Sequence, residues 1–147
     1  MEMPEHGKDR PDPKAYGNSH PDGMGVNLLV EDVQTSAKFH KFVFGSTIRY
    51  WEEHFAIMES QGHTWLLHSD WSYRNHEMMS AVQGLTARGG GLELRLYGIN
   101  PDEAEEKARQ LDATVLSGSI NQAHGMREAH ILDPDGYVWV PSQSLSE

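Results

Sequence analysis

The residue types best suited to chemistry alternate along one short segment, residues 92–97, which runs Leu-Glu-Leu-Arg-Leu-Tyr. In a β-strand the three leucines share one face, while Glu93, Arg95 and Tyr97 share the other. Opposite charges on a partly buried face must pair with each other or meet a polar ligand. We therefore predict that the leucines pack under helices and that the charged face lines a pocket for a polar or ionic group. A plain Glu–Arg pair on a solvated strand face is the alternative.

Two histidines extend this candidate site. His130 and His68 point to the same side as Glu93 if the phase of their strands is correct. His130 and Glu93 could then do acid–base chemistry, or both histidines could join Glu93 around a non-haem iron. A register error of one residue would turn both histidines away. Asn27, in the first predicted strand, and Trp71, in a long connector, are further candidate ligand contacts.

The composition excludes several classes of partner and site. The 147-residue chain has a formal net charge of −10 and no cysteine. An acidic chain without a basic patch is not expected to bind nucleic acid. No apolar run approaches the roughly 20 residues that span a membrane, and the polar start does not predict a signal peptide. Because cysteine is absent, disulfides and thiolate zinc sites are ruled out, and we expect a cytoplasmic location.

The elements that position these side chains form two similar halves, flanked by less regular segments. Residues 1–23 are polar and rich in proline and glycine, which predicts an irregular N-terminal arm, either disordered or lying across a partner subunit. The segments that follow are a first module, a connector too long for an ordinary turn, a second module and a tail, at residues 24–69, 70–89, 90–142 and 143–147.

Each module predicts the order β-α-β-β-β, so the expected fold class is α+β with two repeated modules. A shift of 68 residues takes Val30 to Gly98, and a later shift of 74 takes Trp65 to Trp139. We expect the longer loop at residues 118–125 to absorb the difference. Such an internal duplication is stronger evidence for the fold than any single strand. The two matching tryptophans are expected in the core or at an interface.

The repeat and two segments resemble the vicinal oxygen chelate superfamily of glyoxalases, bleomycin-resistance proteins and extradiol dioxygenases. The segment His124-Gly-Met-Arg-Glu-Ala-His-Ile-Leu-Asp-Pro-Asp-Gly-Tyr137 is similar to the Gly-x-Arg-Glu…Asp-Pro-x-Gly segment of the bleomycin-resistance branch. Residues 27–33 resemble the family's opening strand and helix start. The resemblance covers about residues 24–142. It implies a half-barrel sheet in each module, a cup for a small molecule and a homodimer.

The resemblance also implies where a metal would lie. Metal-dependent members carry histidine or glutamate on the first and last strands of the modules. The matching positions here hold Gly25, Leu66, Glu93 and Val140. A catalytic metal usually has about three protein ligands, so one carboxylate makes a poor site, and we expect no metal or other cofactor. A shifted site at Glu93 with His68 and His130 is the alternative.

Together these observations predict a metal-free small-molecule binding protein of the bleomycin-resistance kind, acting as a homodimer. The acidic surface favours capture of a polar, cationic or amine-bearing ligand, such as an antibiotic. The alternative is an enzyme, because a fold does not fix its chemistry. It would be a glyoxalase-like lyase or isomerase, or a dioxygenase, that uses a shifted metal site or acid–base chemistry by His130 and Glu93.

Overall fold

The computed structural model describes residues 3–146 and confirms the α+β class with two repeated modules. The first module is β1, α2, β2, β3 and β4, at Asn27–Val30, Val33–Phe44, Thr47–Glu52, Phe55–Ser60 and His63–Ser69. The second is β5, α4, β6, β7 and β8, at Glu93–Tyr97, Pro101–Gln110, Val115–Asn121, Met126–Leu132 and Val138–Ser144. A short helix, α1, precedes the first module at Pro13–Asn18, and another, α3, lies in the connector at Met79–Val82. No helix within residues 3–146 is long and apolar enough to cross a membrane.

Each module forms an open four-stranded sheet with the same strand order. The orders are β1-β4-β3-β2 and β5-β8-β7-β6, and the first pair in each is parallel. Asn27 pairs with Leu66 in the first sheet, and Arg95 pairs with Val140 in the second. The shifts of 68 and 74 residues relate these two pairs, so the duplication predicted from the sequence is confirmed down to strand register.

The helix ends follow from local chemistry. The Asp32 side chain accepts a hydrogen bond from the Thr35 amide at 3.1 Å, which satisfies a free donor in the first turn of α2. Gly45 ends α2 in the left-handed conformation, with φ 69°, which glycine adopts without a steric penalty. In α4 the Asn100 side chain caps the first turn, and Pro101 occupies a position that needs no amide donor.

The two modules share one hydrophobic core. Helices α2 and α4 pack against each other, and each also packs on its own sheet. Trp65 and Trp139, which match across the repeat, lie in this core with ring centroids 5.2 Å apart. The core therefore covers one face of each sheet, and the opposite faces do not contribute to it.

A buried polar cluster ties the connector to the modules. The Arg88 guanidinium makes two hydrogen bonds of 2.7 Å to the Asp70 carboxylate and one of 3.0 Å to the carbonyl of Leu29. The Arg88 side chain is only 8% exposed. The charge pair thus joins the two ends of the connector to each other, and the hydrogen bond to Leu29 fixes the connector to β1.

Asp135, in the turn before β8, reaches the start of α2 in the other module. Its carboxylate accepts a 2.8 Å hydrogen bond from the Glu31 amide. Burial raises the pKa of Asp135 to about 6, against the partial opposition of that hydrogen bond. The neighbouring Gly136 has φ 84°, and a Cβ there would meet the Thr86 carbonyl oxygen at 2.5 Å. Glycine is required at this turn both by its conformation and by the close approach of the connector.

Four details differ from the sequence predictions. The arm at residues 1–23 is not wholly irregular, because α1 forms within it. The extra residues of the second module are not confined to a loop at 118–125. Strands β6 and β7 are each one residue longer than β2 and β3, and the rest lie in the connections at 122–125 and before β8. The pairing of β6 with β7 is irregular on both sides of Ser117. Strand β8 continues to Ser144, into the predicted tail. Leu92 precedes β5 and is 48% exposed, whereas Leu96 is buried as predicted.

Candidate functional site: a charged face on the second sheet

The face of the second sheet that points away from α4 carries a cluster of polar side chains, which we call the charged face. Strand alternation puts Leu96 in the core and its neighbours on the opposite side. The charged face consists of Glu93, Arg95 and Tyr97 on β5, Glu128 and His130 on β7, and Ser142 on β8. The predicted grouping of Glu93, Arg95, Tyr97 and His130 is therefore present.

Arg95 is the centre of this network. Its guanidinium donates hydrogen bonds to Glu93 at 3.1 Å, to Ser142 at 3.3 Å and to the Tyr97 hydroxyl at 3.1 Å. It also forms an ion pair with Glu128. The Glu128 side chain is 4% exposed, whereas that of Glu93 is 47% exposed. Arg95 thus pairs with one buried carboxylate, that of Glu128, and with one accessible carboxylate, that of Glu93.

His130 contacts the accessible carboxylate. One ring nitrogen, Nε2, lies 2.7 Å from Oε1 of Glu93. The other, Nδ1, is buried and has no hydrogen-bond partner. A histidine general base must present a free ring nitrogen to the substrate. This arrangement instead uses the accessible nitrogen to orient Glu93, and it points the remaining nitrogen into the protein.

Both carboxylates have a pKa below the usual value for a glutamate. The hydrogen bond from His130 and the ion pair with Arg95 lower the pKa of Glu93, against a smaller effect of burial. For Glu128, burial opposes ionisation most strongly, but Arg95 and His124 together hold its pKa below the usual value. The charged face thus holds two carboxylates and one guanidinium, with His130 beside the accessible carboxylate.

Sequence reasoning missed Glu128 and Ser142. Glu128 lies two residues before His130 on β7, so the alternation that selected His130 would also have selected Glu128. Ser142 pairs with Tyr97 on one side and with Glu128 on the other. Its position became visible only once the strand order placed β8 between β5 and β7.

The structure places the other predicted site residues in the first module and at the start of the connector. His68 lies on β4, with ring contacts to Phe55 at 5.1 Å and Tyr73 at 5.3 Å. Asn27 is exposed at the start of β1. Trp71 is 55% exposed and stacks on His54 at 4.3 Å. The candidate residues therefore form two groups, of which only the group around Glu93 and Arg95 forms a charged network.

The residues present do not fit the metal that the sequence resemblance implies. Gly25, Leu66 and Val140 offer no donor side chain, and Glu93 is already hydrogen-bonded to Arg95 and His130. No group of three or more His, Asp or Glu side chains within residues 3–146 is arranged to hold a metal ion. The shifted set with His68 is not assembled.

A groove runs beside the charged face. It has a volume of about 470 Å³ and lies between β5 and the hairpin that joins β3 to β4. Glu93, Arg95 and Tyr97 line one side, and Trp65 and Met24 contribute apolar surface. Its size is within the range of small-molecule pockets. The arrangement offers apolar contact next to a negative charge.

No protein-family model and no curated protein matches this chain. Solved structures do. A glyoxalase/bleomycin resistance protein/dioxygenase from Nocardioides has 20% identity and a TM-score of 0.63, with 90% of this chain and 93% of that chain covered. A glyoxalase/bleomycin resistance protein/dioxygenase family enzyme from Burkholderia phytofirmans PsJN has 16% identity and a TM-score of 0.67, with 82% and 96% covered. A glyoxalase-related enzyme from Fulvimarina pelagi has 19% identity and a TM-score of 0.64, with 84% and 89% covered. The chain therefore has the fold of the glyoxalase/bleomycin resistance/dioxygenase proteins, the vicinal oxygen chelate fold that its sequence resembles.

Proposed function

We propose that this protein binds a cationic small molecule at the charged face and the adjoining groove. The observation that carries the proposal is the imbalance of charge at Arg95. One guanidinium is shared by two carboxylates, and Glu93, the accessible one, borders an apolar groove of about 470 Å³. An amine or guanidinium on the ligand would complete the pairing, while its apolar part would lie against Trp65.

Capture is favoured over catalysis by the state of His130. The predicted acid–base pair is assembled at 2.7 Å, which keeps an enzymatic role as the second candidate. However, the ring nitrogen that would have to reach a substrate is the buried Nδ1. Binding of a positively charged ligand needs no side chain that transfers a proton, whereas acid–base catalysis does.

The proposal predicts a specific loss of affinity on neutralising Glu93. We expect Glu93→Gln to weaken binding of a small amine with an apolar part, such as phenethylamine, about tenfold, since a half-exposed charged contact contributes about 1–2 kcal/mol. Isothermal titration calorimetry would measure the affinity. The matched control is Glu106→Gln, the same charge change at an exposed position of α4.

Three outcomes would contradict the proposal. Equal losses in Glu93→Gln and Glu106→Gln would assign the effect to overall charge rather than to the site. Tighter binding of anionic compounds than of amines would reverse the sign of the recognition. Turnover of a bound compound that is abolished by His130→Gln would favour the enzymatic alternative.

We also propose a homodimer. Strands β5 and β6 are the edges of the second sheet, and exposed apolar side chains lie on or next to both edges. Leu92 and Tyr97 are 48% and 60% exposed, and Leu116 and Ile120 are 56% and 48% exposed. Unpaired edges with apolar side chains are surfaces on which a second copy can pack. Light scattering at micromolar concentration should give twice the 16.6 kDa mass of one chain, and a monomer mass would refute the dimer.

A further inference from the structure

The N-terminal arm lies on the first sheet of its own chain. The Trp51 indole donates a 2.8 Å hydrogen bond to the carbonyl of Pro4, and the Gly7 amide donates a 3.0 Å bond to the carbonyl of Trp51. Arg10 forms an ion pair with Glu52 at 3.6 Å. These contacts fix the start of the arm to β2. The following helix, α1, then lies over the face of the first sheet that corresponds to the charged face of the second.

Helix α1 covers this face without filling the space beneath it. None of the residues of α1 is buried. A cavity of about 400 Å³ remains between the arm and the sheet, with Tyr16 on the arm side and Tyr50, Phe55, Leu66 and His68 on the sheet side. This volume is within the range of pockets that hold small molecules.

Aromatic rings surround the cavity on both sides. On the arm, Tyr16 and His20 are in edge contact at 4.7 Å. On the sheet, Phe55 lies 6.0 Å from Tyr50 and 5.1 Å from His68. Rings arranged in this way offer faces and edges to a further ring between them, and such pairs prefer centroid distances of about 4.5–7 Å.

The cavity carries little net charge, in contrast to the charged face. Arg10 and Glu52 on its walls compensate each other at 3.6 Å, and the histidines His20, His54 and His68 also line it. The Tyr50 hydroxyl donates a 2.5 Å hydrogen bond to Glu52, which further satisfies that carboxylate. Burial lowers the pKa of His68, which favours its neutral imidazole. A charged ligand would lose its hydration here without gaining an unpaired partner.

We propose that the cavity under the arm is a second binding site, for an uncharged aromatic molecule of one or two rings. The neutral His68 imidazole would supply the polar contact, and the rings of Tyr16 and Phe55 would stack on the ligand. The site is separate from the charged face and does not depend on the function proposed for it. It uses the arm as one wall, so it is a property of this chain rather than of the two modules alone.

Three compounds that share the indole ring but are neutral, cationic or anionic test the proposal. Full-length protein labelled with ¹⁵N would be titrated with indole, tryptamine and indole-3-acetate, and amide shifts would be followed by NMR. Indole should bind saturably with a dissociation constant on the order of 1 mM or tighter, as expected for a fragment of its size. Its shifts should be centred on α1, β3 and β4. Tryptamine and indole-3-acetate should bind to this cavity at least fivefold more weakly.

Three variants test the arm side of the cavity, the sheet side of the cavity and the charged face separately. Tyr16→Ala removes a ring from a helix that buries none of its residues, so it should preserve the fold and weaken indole binding at least fivefold. Leu66→Trp should fill the cavity and abolish indole binding. Tyr97→Ala, on the charged face, should leave the affinity for indole unchanged. The proposal would be overturned if indole caused no saturable shifts, if its shifts were centred on β5, or if Tyr97→Ala weakened binding and Tyr16→Ala did not.

Discussion

Replacing Arg95 with alanine should lower the free energy of unfolding by about 2–4 kcal/mol. The change removes the arginine partner of the 4% exposed Glu128 carboxylate and leaves only the exposed His124, at 3.5 Å, beside it. Breaking a buried charge pair from one side typically costs about 3–5 kcal/mol, and the 23% exposure of Arg95 reduces that figure. The loss should be smaller at acidic pH, because a protonated Glu128 needs no cation. Chemical denaturation followed by tryptophan fluorescence would measure it.

Two further variants show whether the unpaired charge is the cause. In the double variant Arg95→Ala with Glu128→Gln, most of the lost stability should return, since no buried charge remains. Arg109→Ala breaks the exposed pair with Glu105 on α4 and should cost less than about 1 kcal/mol. If Arg95→Ala were no more harmful than Arg109→Ala, or if the double variant brought no recovery, Glu128 would not depend on Arg95 as the geometry requires.

Replacing Asp135 with asparagine should raise the free energy of unfolding at pH 8 by about 1–3 kcal/mol. Burial raises the pKa of this carboxyl from 3.8 to about 6, so the folded protein holds its proton more tightly than the unfolded chain. Such a group favours the folded state fully below about pH 4, and this contribution is lost as the pH rises to about 6. A tenfold difference in proton affinity between the two states corresponds to about 1.4 kcal/mol. Asparagine keeps an oxygen for the Glu31 amide and carries no charge, although it gives up the attraction of Arg88.

The pH dependence distinguishes this effect from better packing. The gain should be present at pH 8 and nearly absent at pH 4, in paired denaturation experiments at both values. Asp32→Asn is the matched control, since either side chain caps α2 and the residue is exposed. That variant should change stability by less than about 0.5 kcal/mol. A loss of stability in Asp135→Asn at pH 8 would mean that the carboxylate is stabilised by Arg88 more than it is penalised by burial.

The features that were predictable from the sequence are those decided within a few residues. Alternation along β5 correctly separated Leu96 from Glu93 and Arg95, because neighbouring strand residues must face opposite sides. The ends of α2 followed from Asp32 and Gly45 in the same way. The duplication could be counted because both modules keep the same strand order and register.

The features that were not predictable depend on which segments meet in three dimensions. The grouping of His68 with Glu93 assumed one shared cup, whereas each module presents its own face and the arm covers the first. The main partner of Arg95 is Glu128, 33 positions along the chain, and only the strand order makes them neighbours. The arm could not be placed because its polar sequence has no periodicity, and its position rests on contacts with Trp51 and Glu52.

The contact between Trp65 and Trp139 has a consequence for how the fold forms. The two indoles contact each other across the modules, with the rings 5.2 Å apart, and Trp139 also contacts His40 and Phe44 of the first module. Half of the chain by itself would leave its tryptophan and one side of its helix in water. The two halves should therefore unfold in a single cooperative transition, and indole emission should report their separation. By the same reasoning, a single module of this kind would need a second copy of itself to bury its tryptophan and its helix.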